Sequence, residues 1–180
     1  MDKFYHMTIA GLERDLPICP LNEKLSIAGF IMFSDVELTV ACAEELLKRA
    51  PEFDYIVTAE AKGIPLAYEM SRQSGKKYLV ARKKMKAYMA EPVEVKVQSI
   101  TTAGVQTLFM DKGELDLMRG KRILIVDDVI STGESLKAIE KIVAAGEGNI
   151  VAKATVLAEG DAAERDDIIF LEPLPLFFNN

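Results

Sequence analysis

The chain has no tryptophan, a single histidine and only two cysteines. One imidazole, His6, excludes histidine-dependent catalytic triads and most zinc sites, and it reads as a solvated side chain near the start of the sequence. Cys19 and Cys42 are too few for a disulfide framework in 180 residues, which makes a reducing cytoplasm the expected compartment. No apolar run reaches the roughly 20 residues of a membrane-spanning helix. The opening MDKFYHMTIAG lacks the apolar core of a secretory signal, so no membrane partner is expected. Basic residues are outnumbered, 22 Lys and Arg against 28 Asp and Glu, and the net charge of -6 speaks against a bulk nucleic-acid binder. Internal repeats and low-complexity tracts are also lacking.

What is present suits a single globular domain over residues 1–180, with 49% apolar residues to fill a core. Residues 1–34 show little periodicity. Pro17 and Pro20 impose an extended path there, and LSIAGF (25–30) has strand character. Asp35 is the expected N-cap of a helix whose apolar stripe runs through Val36, Leu38, Val40, Ala43, Leu46 and Leu47 and stops before Pro51. Strand and helix then alternate: DYIVTA (54–59), a turn at AKG (61–63), a helix IPLAYEMSRQ (64–73), then KYLVAR (77–82). Such alternation predicts an α/β fold, a mainly parallel sheet covered by helices, with ligands at the carboxyl ends of the strands.

Residues 83–120 interrupt the alternation. VEVKVQSI (93–100) and VQTLFM (105–110) alternate with period two around TTAG, which predicts an antiparallel hairpin. The basic KKMKAYMAEP before it suits a lid over an anionic ligand, and a plain solvated hairpin is the competing reading. NIVAKATVLAE (149–159) and DIIFLEPLPLF (167–177) close the pattern as strands, the second running into a proline-rich tail.

Between them lies KRILIVDDVISTGES, residues 121–135. An apolar strand runs into Asp127 and Asp128, and a loop of Ser131, Thr132, Gly133 and Ser135 opens a helix carrying Leu136, Ile139, Ile142 and Val143. Backbone N–H groups at a helix start attract phosphate, and hydroxyls add donors. Carboxylates repel phosphate, so the acid pair faces something else, such as sugar hydroxyls or a metal. The stretch is neither a GxxxxGK[ST] loop nor a GxGxxG turn.

LIVDDVISTGES resembles the phosphoribosyl-pyrophosphate signature of type I phosphoribosyltransferases. VTAEAKGIPLA (57–67) is similar to the family's pyrophosphate loop and following helix, and VARKKMK (80–86) to the basic stretch entering its lid. Within the family the pattern resembles the branch of adenine and xanthine phosphoribosyltransferases and the purine-operon repressor. The resemblance implies a central sheet with an antiparallel lid hairpin (83–120) and a small N-terminal hood (1–34). It implies that Ser131, Thr132, Gly133, Glu134 and Ser135 wrap a 5′-phosphate. Asp127 and Asp128 would meet the ribose hydroxyls, directly or through Mg²⁺. Ala61, Lys62 and Gly63 would receive pyrophosphate, and Arg82, Lys83 and Lys86 would neutralise it as it leaves.

The base is less well specified. Adenine enzymes of the family often carry a lid glutamate where this chain has Thr101, and xanthine enzymes a lysine where Glu159 precedes Gly160. The hypoxanthine-guanine branch usually has an aspartate where Ser131 stands. Leu25, Ile27 and Phe30 are the expected hood, with Phe30 or Val129 against the purine face and Glu159 near an amino group; core packing is the alternative for the apolar three. The expected reaction is transfer of phosphoribose from its pyrophosphate to a purine, adenine first, with xanthine or hypoxanthine and guanine as alternatives. A homodimer is implied by the same resemblance. A phosphoribosyl-pyrophosphate-sensing regulator is the reading from another class, and the short, proline-bearing segment before the first helix leaves little room for a DNA-binding module.

Overall fold

A computed structural model describes residues 3–98 and 105–178 of the chain. Thr101 and the TTAG turn lie outside the described residues. Eleven strands and four helices are described, in the order β1 (Phe4–Ile9), β2 (Leu12–Pro20), β3 (Leu25–Ala28), α1 (Val36–Arg49), β4 (Tyr55–Ala59), α2 (Ile64–Ser74) and β5 (Lys77–Ala81). The chain continues with β6 (Pro92–Gln98), β7 (Val105–Asp111), α3 (Lys112–Met118), β8 (Arg122–Ile130), α4 (Glu134–Ala145), β9 (Asn149–Glu159), β10 (Ile169–Leu174) and β11 (Leu176–Phe178).

The central sheet is parallel throughout, in the order β10-β9-β8-β4-β5. Its middle strand β8 is buried on both faces, which is why ILIV reads as a continuous apolar run instead of alternating. Leu124 and Val126 pack with α1 and α2 on one side, and Ile123 and Ile125 with α3, α4 and the β6–β7 hairpin on the other. Asp35 caps α1 as expected, accepting from Leu38 N at 3.1 Å. The parallel sheet covered by helices is the α/β arrangement that the alternation predicted.

Three features depart from the sequence reading. First, residues 4–20 form a regular hairpin that weak periodicity concealed. Its turn is Ala10-Gly11, both at positive φ, joining Ile9 to Leu12 in register. Two left-handed residues give the turn the twist a two-residue hairpin needs, and Ala-Gly is a weaker advertisement of it than Asn-Gly. Second, the expected lid over 83–120 stops earlier. Residues 112–118 are a helix, α3, with Leu115 and Met118 buried against the α4 side of the sheet. Third, DIIFLEPLPLF is two strands. β10 ends the central sheet as an edge, where a proline such as Pro173 is tolerated, and β11 crosses to pair with β3. The hood is therefore a four-stranded sheet, β1-β2-β3-β11, built from both ends of the described chain.

Candidate active site

The site assembles at the carboxyl ends of β4, β5 and β8, where an open parallel sheet offers its loops. β8 does not stop at the acids. It runs on to Ile130, so Asp127 and Asp128 lie within the strand, and both border one cavity. Asp128 is 3% exposed. Asp127 Oδ1 accepts from Asp128 N at 2.9 Å. Burial, and then the neighbouring Asp128 carboxylate, push Asp127 well above the usual carboxylate range.

The loop after β4 folds over this strand. Asp128 Oδ2 is buried without a hydrogen-bond partner, and the Lys62 ammonium stands 3.3 Å from it as an ion pair. Gly63 lies still closer. A Cβ there would meet Thr58 Oγ1 at 2.5 Å, Asp127 Oδ1 at 3.1 Å and Asp127 Cα at 3.3 Å. Its φ of -77° suits any residue, so glycine is required for space alone. The peptide joining Glu60 to Ala61 is cis.

Glu60 organises the cations. It accepts from Arg82 Nε and from the Lys83 backbone N–H, each at 2.8 Å, and stands 3.6 Å from Lys86 Nζ. Arg82 also donates to Tyr88 Oη at 2.7 Å. An acid directly before a loop expected to receive an anion is the signal that could have revealed this. The carboxylate holds the basic stretch in place and offsets part of its charge.

A cavity of about 410 Å³ joins these parts, lined by Ala61, Lys62, Lys83, Asp127, Asp128 and Val129 together with Glu60, Gln106, Leu108 and Ser135. A volume of this size is ordinary for a small-molecule site. Gln106 and Leu108 come from the hairpin strand β7 and were not foreseen. Their alternation marks a strand, with nothing to say which face meets the acids.

A smaller recess of about 90 Å³ adjoins at the start of α4, lined by Ser131, Thr132, Gly133 and Ser135 with Asp127 and Val129. Gly133, at φ +78°, turns the chain into the helix in a conformation that other residues resist. The N–H groups of the first turn of α4 lie at this end of the helix. Glu134, expected beside the phosphate, occupies the first position of α4.

The structure thus brings together the acid pair, the 61–63 loop, Lys83, Val129 and the 131–135 loop. Arg82 and Lys86 stand behind them on Glu60. It does not bring Leu25, Ile27 or Phe30 to the cavity wall. Leu25 and Ile27 pair with Phe178 and Leu176 in the hood sheet, and Phe30, 4% exposed, packs in the core beneath it. Glu159 ends β9, opposite Leu174 of β10.

The donor set bears on Mg²⁺. Among the described residues no cluster of three or more His, Cys, Asp or Glu could hold a metal ion. Two carboxylates beside a phosphate-sized space fit an ion that arrives with substrate oxygens and waters completing its shell, as Mg²⁺ prefers.

Comparison with known proteins agrees with this geometry. The sequence matches the phosphoribosyl transferase domain family over residues 41–174. It is 38% identical over 137 residues to a hypoxanthine/guanine phosphoribosyltransferase of Methanococcus voltae, covering 76% of this chain and 70% of that one. It is 32% identical over 127 residues to an adenine phosphoribosyltransferase of Rhodococcus jostii, covering 70% and 69%. In fold it is similar to the adenine phosphoribosyltransferase of Thermoanaerobacter pseudethanolicus, with a TM-score of 0.67, 23% identity and coverage of 79% and 84%. A hydroxyl-lined recess and a lysine-bearing loop flank one acid pair at the end of a parallel sheet, and the matches in sequence and fold agree: the chain belongs to the phosphoribosyltransferase family, enzymes that transfer a pentosyl group.

Proposed function

We propose that the protein transfers the phosphoribosyl group of phosphoribosyl pyrophosphate to a purine base, releasing pyrophosphate. The observation that carries this is the placement of two anion-receiving loops, 61–63 and 131–135, on either side of Asp127 and Asp128 around adjoining cavities. One loop suits each phosphorylated end of the sugar, and the carboxylates suit the ribose between them. As pyrophosphate departs, C1′ gains oxocarbenium character. The acid pair stabilises that positive charge, while Lys62 and Lys83 offset the charge on the leaving group. Mg²⁺, held by Asp127 and Asp128 directly or through water, would supply further charge neutralisation on the pyrophosphate oxygens. A hairpin closing over the site would exclude water from the reactive sugar.

Adenine is our first substrate. Ser131 replaces the aspartate of the hypoxanthine-guanine pattern, and Glu159-Gly160 replaces the xanthine-type lysine. The 38% identity to a hypoxanthine/guanine enzyme supports the second reading, with those two bases as substrates. Pyrophosphate release measured across adenine, hypoxanthine, guanine and xanthine decides between them. Adenine is expected to lead in kcat/KM, and chelation of Mg²⁺ to abolish turnover. Absence of turnover with all four bases would overturn the salvage reading and favour the regulator.

The protein is further proposed to act as a homodimer. Val36 is 72% and Tyr68 56% exposed, and both line an apolar groove of about 370 Å³ between α1 and α2, next to Ile64 and Pro65 at the end of the pyrophosphate loop. Light scattering is expected to give twice the chain mass, and Val36→Asp to give monomer.

A further inference from the structure

Arg165 lies outside every motif that pointed to the site. It follows the 3-10 turn Gly160–Glu164, which links β9 to β10. Yet its guanidinium reaches the phosphate loop: a Cβ placed on Gly133 would come within 2.7 Å of Arg165 Nη1. The other two nitrogens are taken. Nε and Nη2 donate to the two oxygens of Asp167 at 2.8 and 2.7 Å, a bidentate fork that fixes the plane of the group and leaves Nη1 as the corner turned toward Gly133.

Asp167 is itself held. Lys153 on β9 donates to it at 2.7 Å and to Glu140 on α4 at 2.9 Å. Arg165 and then Lys153 keep the Asp167 carboxyl far below the usual range, so the fork persists at any physiological pH. A chain of charges therefore runs from Glu140, on the second turn of α4, through Lys153, Asp167 and Arg165 to Gly133 at the start of the same helix. It braces the helix whose N-terminus forms the recess. Lys153 is 17% and Arg165 30% exposed in their side chains, so water screens this chain less than a surface pair.

We infer that Arg165 is a positioning residue for the 5′-phosphate, its guanidinium docked behind Gly133 to hold the 131–135 loop and add positive charge beside the bound dianion. The inference rests on the proposed function, in which that loop receives the 5′-phosphate. The glycine at 133 then has two reasons to be there, the positive φ and the room it leaves for Arg165.

Calorimetric titration of the full chain with ribose 5-phosphate and, separately, with pyrophosphate tests it on Arg165→Gln and Arg165→Lys. Arg165→Gln is expected to weaken ribose 5-phosphate about tenfold, in line with loss of one charge-assisted contact, and to leave pyrophosphate unchanged. Arg165→Lys, which keeps the charge but not the fork, is expected to fall between. In turnover the same loss appears as a raised KM for phosphoribosyl pyrophosphate, with the KM for the base unmoved. Equal weakening of both ligands would mean a merely structural role, and unchanged ribose 5-phosphate binding would mean no role; either overturns the inference. If the parent protein bound pyrophosphate but not ribose 5-phosphate, the assignment of the 131–135 loop would fall instead, and with it the role of Arg165.

Discussion

Asparagine at both Asp127 and Asp128 is expected to give a folded protein whose turnover is reduced at least about a thousandfold. Both side chains border the central cavity. Asn keeps the shape and can still accept the 2.9 Å bond from the backbone N–H of residue 128. What it removes is charge, and charge is what the proposed reaction asks of this pair. Stability moves the other way. Burial and the Asp128 charge push Asp127 up to about 8, so near neutral pH the pair carries close to one charge, buried on Asp128 with the exposed Lys62 at 3.3 Å. The substitutions remove that buried charge, so the midpoint of thermal unfolding is expected to hold or rise. A circular-dichroism melt and a pyrophosphate-release assay on the same preparation check both halves. Activity within tenfold of the parent would remove the acid pair from the mechanism.

Gly63→Ala is expected to have the second-largest effect, although it adds one methyl group at a position with ordinary backbone angles. The added carbon has nowhere to go. Thr58 Oγ1 at 2.5 Å belongs to a fully buried side chain on β4, and the Asp127 backbone at 3.3 Å belongs to the middle strand of the sheet. Neither neighbour is the free end of a flexible chain, so the 61–63 loop must lift. Overpacking of this kind costs about 1–3 kcal/mol. For a chain of this size that lowers Tm by roughly 2–12 °C. Lifting the loop also carries Lys62 away from the acid pair, and displacements near 1 Å cost on the order of a hundredfold in rate. Thr58 Oγ1 is buried with no hydrogen-bond partner, so Thr58→Ala removes the closest clash without breaking a bond. The double variant is expected to recover part of the lost Tm. Full activity in Gly63→Ala would mean that the loop does not pack on the acids when substrate binds.

The two predictions differ in how early they can be made. The acid pair announces itself at the end of an apolar run, beside a Thr-Gly loop. The crowding at Gly63 cannot be read from AKG, because the loop folds Thr58 against it and Asp127 approaches it only once β4 and β8 pair. The same holds for Glu60. Adjacency to Ala61 was visible, but its bonds to Arg82 and Lys83 depend on β5 lying beside β4. Gln106 and Leu108 reach the cavity through the packing of a hairpin onto α4, and Arg165 reaches Gly133 through a fork on Asp167. Each is a contact between segments far apart in sequence, and local patterns carry no record of such contacts.

By itself the sequence determined the parallel sheet with its covering helices, the N-cap of α1, and the acid pair with its Thr-Gly loop at one strand-to-helix junction. These rest on short-range physics: side-chain periodicity, capping hydroxyls and carboxylates, and the chemistry of residues adjacent in the chain. Tertiary structure alone decided the hood and the support of the site. β11 joins β3, so the hood is closed by the far end of the chain, and Phe30 goes into the core where a base-stacking role had been expected. Burial is a property of what packs on a residue. An apolar side chain looks the same in sequence whether a helix or a purine comes to cover it.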